Sequence, residues 1–422
     1  MKRRNFAAIA LVLCVCAVAW SEEPITRVNW GAMVGFAPDL AIPGWSDALT
    51  IDATNVDAFR MWIAEPTYLL VRNWNLKIVT RPYEAYAPTD GYIDATNKYR
   101  GQAKALDTGG KTDVVGLGGY TAGLPFPDPK TGEEVAWNFL HGHHGDDGRH
   151  EFGVYWVSAK RGVERNEVWR WFFISNTKHR TDIDPKPVLA EFADRNIAAI
   201  SMTETLFPPD LKGQLALYIA YDNPTEREGW VYVPSQRRTV RFTSDGHGEA
   251  WNNTDLLYED VRGYSGRPEW MNWKILRRAT ILAPMGAGVE FGPDAAKKTY
   301  DFETPPHWNP RLKWQPRPVY VVEATPRLAR YPYSRQVFYI DAEAFYIHMK
   351  EAYDAKGQLW KVLINASNVS NDPATKPPLV ATSFVVDLQA EHATVFPWFR
   401  NEANVGIDPN KLSLTEMRKK SR

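Results

Sequence analysis

A chain of 422 residues has ample length for a large core, organised as one big β-rich domain or two smaller ones. Its 50 basic and 50 acidic residues leave no net charge, which removes any electrostatic argument for nucleic acid or an anionic membrane surface as a partner. The excess is aromatic, with 17 Trp, 19 Tyr and 18 Phe, and suits either a large β core or a greasy cavity and stacking surface for a ligand.

Residues 1–21 read as a secretory signal peptide: Lys2, Arg3 and Arg4 precede an apolar run from Phe6 to Trp20, and the acidic Glu22 and Glu23 follow. Cleavage after Ala19 and cleavage after Ser21 both fit. The run is short for a bilayer, and no later stretch reaches the roughly 20 apolar residues that a membrane helix needs, so the exported protein is expected to be soluble and not membrane-spanning. Both cysteines, Cys14 and Cys16, fall inside the signal, which leaves the mature chain without disulfide or thiol chemistry. Leu13 and Val15 stand where lipidation needs a small residue, so no lipid anchor is expected.

Residues 22–120 are expected to form a helical and irregular cover segment, punctuated by Pro43, Pro66, Pro82 and Pro88. One helix is predicted from about Asn55 toward Asn73, interrupted near Pro66, and another from Asn97 to Leu106, ending before Gly109 and Gly110. Residues 121–400 are expected to continue the same domain as a large curved antiparallel sheet. "VAWNFL" reads as a strand there, and from about residue 150 the pattern becomes short, aromatic and alternating. "EFGVYWVSA", "EVWRWFFIS", "QLALYIAYD", "GWVYVPSQRRTVRF", "VYVVEAT", "RQVFYIDAEAFYIHMKEAYD" and "GQLWKVLINAS" are the strand signals, joined by turns such as "DNPTEREG", "IDAEA" and "DAKG". Such close spacing favours an antiparallel meander. The early helices and "DPKPVLAEFADRNIAAIS", residues 184–201, are its expected covers. "ETPPHWNPRLKWQPRP", residues 303–318, reads as an extended excursion. Residues 401–422 read as a polar tail whose end, "LTEMRKKSR", frays.

Catalytic signatures are absent from this pattern. No Gly-x-Ser-x-Gly elbow occurs, and "GLGGYTAG" at 116–123 lacks both the dinucleotide-binding spacing and a following helix pattern, so no cofactor is expected. Asp255 with Asp260, or Glu259 with Asp260, are carboxylate pairs of the kind a glycosidase uses, but adjacent acids are more often simply solvated. "HGHHGDDGRH", residues 141–150, offers a zinc-like ligand set in His141, His143, His144 and His150 with Asp146 or Asp147. It matches neither the His-x-His-x-Asp-His nor the His-Glu-x-x-His template, and Gly142, Gly145 and Gly148 loosen it. The competing reading is a solvated hairpin loop. A metal site requires the imidazoles to converge within a few Å.

The landmarks "IPGWS" at 42–46, "GGYTAGLPFPDPKTGEEVAWNF" at 118–139, "WVYVPSQRRTVRF" at 230–242, "GYSGRPEWMNWKIL" at 263–276 and the stretch from "YVVEAT" through "YDAKGQLWKV" resemble, in order and spacing, the bacterial family known as domain of unknown function 1329. The resemblance covers nearly the whole mature chain. It implies a fold like that of the LolA and LolB carriers of outer-membrane lipoproteins: an incomplete antiparallel β-barrel with helices over its apolar mouth. It also implies a periplasmic location, a lipid-like or otherwise hydrophobic ligand, and as a partner an inner-membrane exporter of the resistance-nodulation-division class. It supplies no catalytic residue. The departure from the family pattern comes at Phe139 and the histidine run, where the family has a histidine and a shorter polar stretch.

Within these motifs Trp230 and Tyr232 share one strand face, and Arg237 and Arg238 follow Pro234, which must lie at an edge or a bulge. The arginines are suited to an anionic head group or to salt bridges with acids such as Asp255 or Asp260. Trp251, Tyr258, Trp270 and Trp273 line a cavity or pack beneath the sheet. The expected function is therefore a non-enzymatic periplasmic carrier or transporter accessory. The alternative is a secreted carbohydrate-binding or carbohydrate-active protein, which requires aromatics on an outer platform rather than turned inward.

Overall fold

The computed structural model describes residues 23–223, 227–242, 248–370 and 372–420; the proposed signal peptide lies outside them. Fifteen strands make one sheet. In chain order they are β1 (Thr50–Ile51), β2 (Ile78–Thr80), β3 (Asp147–Ser158), β4 (Gly162–Ile174), β5 (Ile197–Phe207), β6 (Leu215–Tyr221), β7 (Arg227–Val233) and β8 (Arg238–Phe242). Then come β9 (Met271–Ala283), β10 (Lys313–Pro326), β11 (Arg335–Asp341), β12 (Ile347–Tyr353), β13 (Leu359–Asn368), β14 (Leu379–Asp387) and β15 (His392–Ala403). The spatial order is β1-β2-β10-β11-β12-β13-β14-β15-β3-β4-β5-β6-β7-β8, with β9 also paired to β10. All ladders are antiparallel except the short β2–β10 pairing. The sheet does not close into a barrel. The expected class therefore holds: a mainly β protein on one large, open antiparallel sheet.

Curvature follows from one segment, residues 249–270. The ring of Tyr258 hydrogen-bonds Tyr218 on β6, while Asp260, two residues later, holds Lys350 on β12. Those strands are seven ladder steps apart, about 34 Å along a flat sheet. Two residues and their side chains do not reach that far, so the sheet curls around the segment. The face turned toward residues 249–270 is the inner face.

On the other, outer face, Val321, Tyr339, Met349, Ile364, Phe384 and Val395 pack under Ile51, Val56, Phe59, Leu70 and Val71. The covers are a 3-10 helix, Val56–Trp62, and an α-helix, Glu65–Trp74, that starts with Pro66 in its first turn, where its missing N–H costs nothing. The predicted interruption near Pro66 is this junction. The second early helix spans Asp90–Tyr99 rather than 97–106, because Thr89 caps it by accepting the Tyr92 N–H.

Four further expectations change. "VAWNFL" lies in an α-helix, Gly132–Leu140, whose Thr131 and Glu134 form a capping box. The segment read as a cover at 184–201 keeps only one helical turn, Ala190–Ala193, and its end belongs to β5. The proline-rich excursion becomes β10 from Lys313 onward. Through Lys420 the tail is ordered, not frayed: β15 runs to Ala403, a helix spans Leu414–Lys420, and Leu412 and Met417 are buried against Met202, Leu217 and Tyr232. "GWVYVPSQRRTVRF" is a hairpin, β7 and β8, with Pro234 starting the 3-10 turn between them.

Candidate functional site

Register fixes which side chains line the inner face, because residues directly opposite share a face. Across β12, β13 and β14 these are Lys350, Leu363 and Val385; across β15, β3 and β4 they include Trp398 with Phe152 and Trp169, and His150 with Trp171. The face is aromatic at one end and charged at the other.

The charged end is sealed by residues 249–270. Asp260, 2% exposed, binds Lys350 and accepts from Tyr333 Oη at 2.7 Å and from the Leu257 N–H at 2.8 Å. Burial pulls the Lys350 ammonium below its ordinary value, and the Asp260 carboxylate works against that fall. Asp255 accepts from Thr394 Oγ1 and pairs with His392 Nδ1, both at 2.7 Å, while Lys361 Nζ donates to the Asp255 carbonyl at 2.6 Å. The hydrogen bond to Asp255 raises the His392 imidazole above its usual range, against a smaller opposing effect of burial. Beneath the Asp260–Lys350 contact the remaining void is about 10 Å³, room for roughly one water. Of the acids considered for glycosidase work, Asp255 and Asp260 are thus tied to separate basic partners.

The aromatic end is looser. Trp251 packs on Trp169 at 4.9 Å between ring centres, and Trp171, Phe173, Ser201 and Thr203 remain partly exposed. A separate cleft of about 270 Å³ is lined by Leu106, Asp107, Glu133, Trp137, Glu269 and Arg327.

The histidine run is neither a solvated hairpin loop nor a convergent ligand set. It leads from the helix Gly132–Leu140 into β3 and is largely buried. His141 sits against Tyr120, Trp137 and His179. His143 bridges Tyr86 Oη at 3.1 Å, Thr89 Oγ1 at 2.9 Å and Asp182 Oδ2 at 3.2 Å. His144 meets Phe139, and His150 is boxed by Trp171, Phe173 and Trp398. Asp146 accepts the backbone N–H groups of Thr181, Asp182 and Ile183; Asp147 accepts those of Val405, Gly406 and Ile407. The aspartates tie loops, and among the described residues no three His, Cys, Asp or Glu side chains group as metal ligands. The convergence that a metal at His141, His143, His144 and His150 requires is therefore not met.

The eight residues singled out for ligand contact also separate. Tyr232, with Trp230, turns to the outer face toward the C-terminal helix. Arg237 and Arg238 are exposed at the β7–β8 turn and do not reach Asp255 or Asp260, whose polar contacts lie elsewhere. Trp251 and Tyr258 lie on the inner side as described. Trp270, 1% exposed, lies under the Arg227 guanidinium, and Trp273 donates to the Pro268 carbonyl at 2.8 Å. Sequence reading missed Lys350, Trp171, Phe173 and Arg262. The ionisable His348, Lys350 and Glu351 set among the apolar residues of "FYIHMKEAYD" were the available signal for Lys350.

These features define an open-sheet β protein whose curved inner face is half sealed by its own chain and half lined by accessible aromatics. The chain belongs to the family described as "Protein of unknown function (DUF1329)", whose model matches residues 50–418. An uncharacterized protein of Pseudomonas aeruginosa is 25% identical over 328 residues, covering 74% of this chain and 68% of the relative. Among solved structures, a DUF1329 family protein from Desulfovibrio piger is 15% identical with a TM-score of 0.48, covering 68% of this chain and 97% of that one. A putative outer membrane lipoprotein-sorting protein domain from Vibrio parahaemolyticus is 17% identical with a TM-score of 0.48, covering 68% and 98%. No helix among the described residues is long and apolar enough to cross a membrane.

Proposed function

We propose that this protein is a non-enzymatic carrier or transporter accessory that holds a hydrophobic or amphipathic ligand against the aromatic end of its inner face. The observation that carries this reading is the partial exposure of Trp171 and Phe173 on a concave surface, beside Thr203 and facing residues 249–270. Apolar area left in such a place is worth roughly 25 cal/mol per Å² to a ligand that covers it. On this reading the first 21 residues direct export to the periplasm and are cleaved, and the ligand passes to or from an inner-membrane exporter of the resistance-nodulation-division class.

The carbohydrate alternative needs exposed stacking rings. No tryptophan among the described residues is more than partly exposed, and the accessible pair Trp171 and Phe173 lies on the inner face rather than on an outer platform, so that reading gains no support. The carrier reading is tested with a fluorescent fatty or isoprenoid probe on delipidated protein. Binding is expected, weakened by about tenfold or more in the double variant Trp171→Ala, Phe173→Ala. No binding, or binding indifferent to that variant, contradicts the assignment.

A further inference from the structure

We propose that Arg262, His150, His144 and Tyr346 form an oxyanion-binding site on the inner face, and that the ligand is an amphiphile with a single acidic head, a carboxylate or phosphate monoester, docked there. This rests on the carrier reading and specifies its ligand.

Arg262 stands in the segment 249–270 with φ +61 and ψ +17, a left-handed conformation that arginine adopts rarely. The next residue holds it in place: Gly263 approaches β12 so closely that a Cβ there would lie 2.6 Å from Ile347 Cγ2. Arg262 makes no hydrogen bond or ion pair with any described residue, unlike Arg267 in the same segment, which faces Glu269 at 3.6 Å. Burial pulls its guanidinium down to about 10, with Tyr346 the opposing influence. Arg262 stays partly accessible while lying deep in the molecule; a poorly solvated cation without a counter-charge is unfavourable, and its natural complement is an anion.

Polar atoms without partners lie within reach of its charge. His150 is 7% exposed and its Nδ1 has no partner. His144 Nε2 is equally unsatisfied, its ring being held by the Phe139 carbonyl. Burial, with the Arg262 charge adding to it, lowers both imidazoles, His150 to about 3. An oxyanion beside Arg262 would accept from His150 in the suitable neutral tautomer, and from His144 on its taking a proton, which a neighbouring anion favours. Burial raises the Tyr346 phenol, which keeps it a neutral donor. The same cation argues against a metal here, since it repels one.

The apolar walls adjoin this polar end. The His150 ring lies 5.7 Å from Trp171, 4.7 Å from Phe173 and 4.6 Å from Trp398, centre to centre. An acidic head at Arg262 therefore leaves the hydrocarbon over Trp171 and Phe173.

The test uses delipidated full chain titrated with dodecanoic acid, dodecyl phosphate and dodecanol, read by tryptophan fluorescence. At least one acidic probe should bind about tenfold or more tightly than the alcohol, the worth of a charge-assisted contact; which of the two does so separates a carboxylate from a phosphate ligand. Arg262→Ala should abolish that preference and leave dodecanol affinity within about twofold, while Arg262→Lys retains part of it. Because Arg262 lacks a protein partner, Arg262→Ala should unfold at or above the wild-type temperature. Equal binding of acid and alcohol, or a preference that survives Arg262→Ala, overturns the site while leaving the carrier reading intact. A fall in unfolding temperature that accompanies lost preference marks a structural role and also overturns it. Binding of none of the three probes overturns both.

Discussion

Arg317 is fully buried between Asp341, at 2.7 and 3.0 Å, and Glu343, at 2.6 Å, and His348 Nε2 lies 2.8 Å from the same Asp341. Such a cluster is stable only while complete, so Arg317→Met, which strands two carboxylates, should lower the unfolding free energy by about 3–5 kcal/mol in denaturant titration. Burial pushes the Asp341 carboxyl up, but the Arg317 guanidinium and the His348 hydrogen bond outweigh it and hold the group far below the usual carboxylate range. A depressed folded-state value stabilises above the unfolded value near 4 and is lost as pH falls through the folded value, so acid unfolding should steepen below about pH 4. A variant with wild-type stability and acid response contradicts this. At this scale the sequence was least legible. His141, His143 and His150 looked like one constellation, yet each ring is claimed by partners far away in the chain, Tyr86, Thr89 and Asp182 for His143 and Trp398 for His150. Local spacing carries no information about such long-range partners.

The segment 249–270 covers the charged end of the inner face, and its fastening is partly titratable. The raised His392 value means that the contact with Asp255 stabilises fully below the unfolded value near 6.5 and weakens as pH rises through the higher folded value. Hydrogen exchange at residues 251–257, corrected for intrinsic rates, should therefore speed up between about pH 6 and pH 9, and Asp255→Asn should remove that dependence. Unchanged protection across that range contradicts the assignment. Elements with strong local signals were legible, such as β3, β4, β6 and the pair β11–β12 around "IDAEA". The helix Gly132–Leu140 carried its own signal in Thr131 and Glu134, which outweighs the strand-like look of "VAWNFL". β9 escaped because Lys274, Arg277 and Arg278 and a bulge between Ile275 and Arg277 break its alternation. The C-terminal helix was hidden because its charge suggests fraying, whereas Met417, with Leu414 beside it, anchors it in a core.

At the scale of the whole molecule, the aromatic excess has two destinations. Trp308, Trp314 and Tyr339 pack the outer core, whereas Trp169, Trp171, Phe173 and Trp398 face the curve that residues 249–270 cross. The open sheet and its family were readable from ordered motifs spread along the chain. The self-sealed half of the inner face was not, since only the folded sheet brings Asp260 to Lys350, 90 residues away. On the carrier proposal, the remaining half holds an amphipathic ligand. Native mass spectrometry of gently purified protein from its own host tests this most directly. The expected result is a population heavier than the polypeptide by a discrete acidic amphiphile that organic extraction removes. Bare polypeptide alone, in protein that also takes up no fatty or isoprenoid probe, would contradict it.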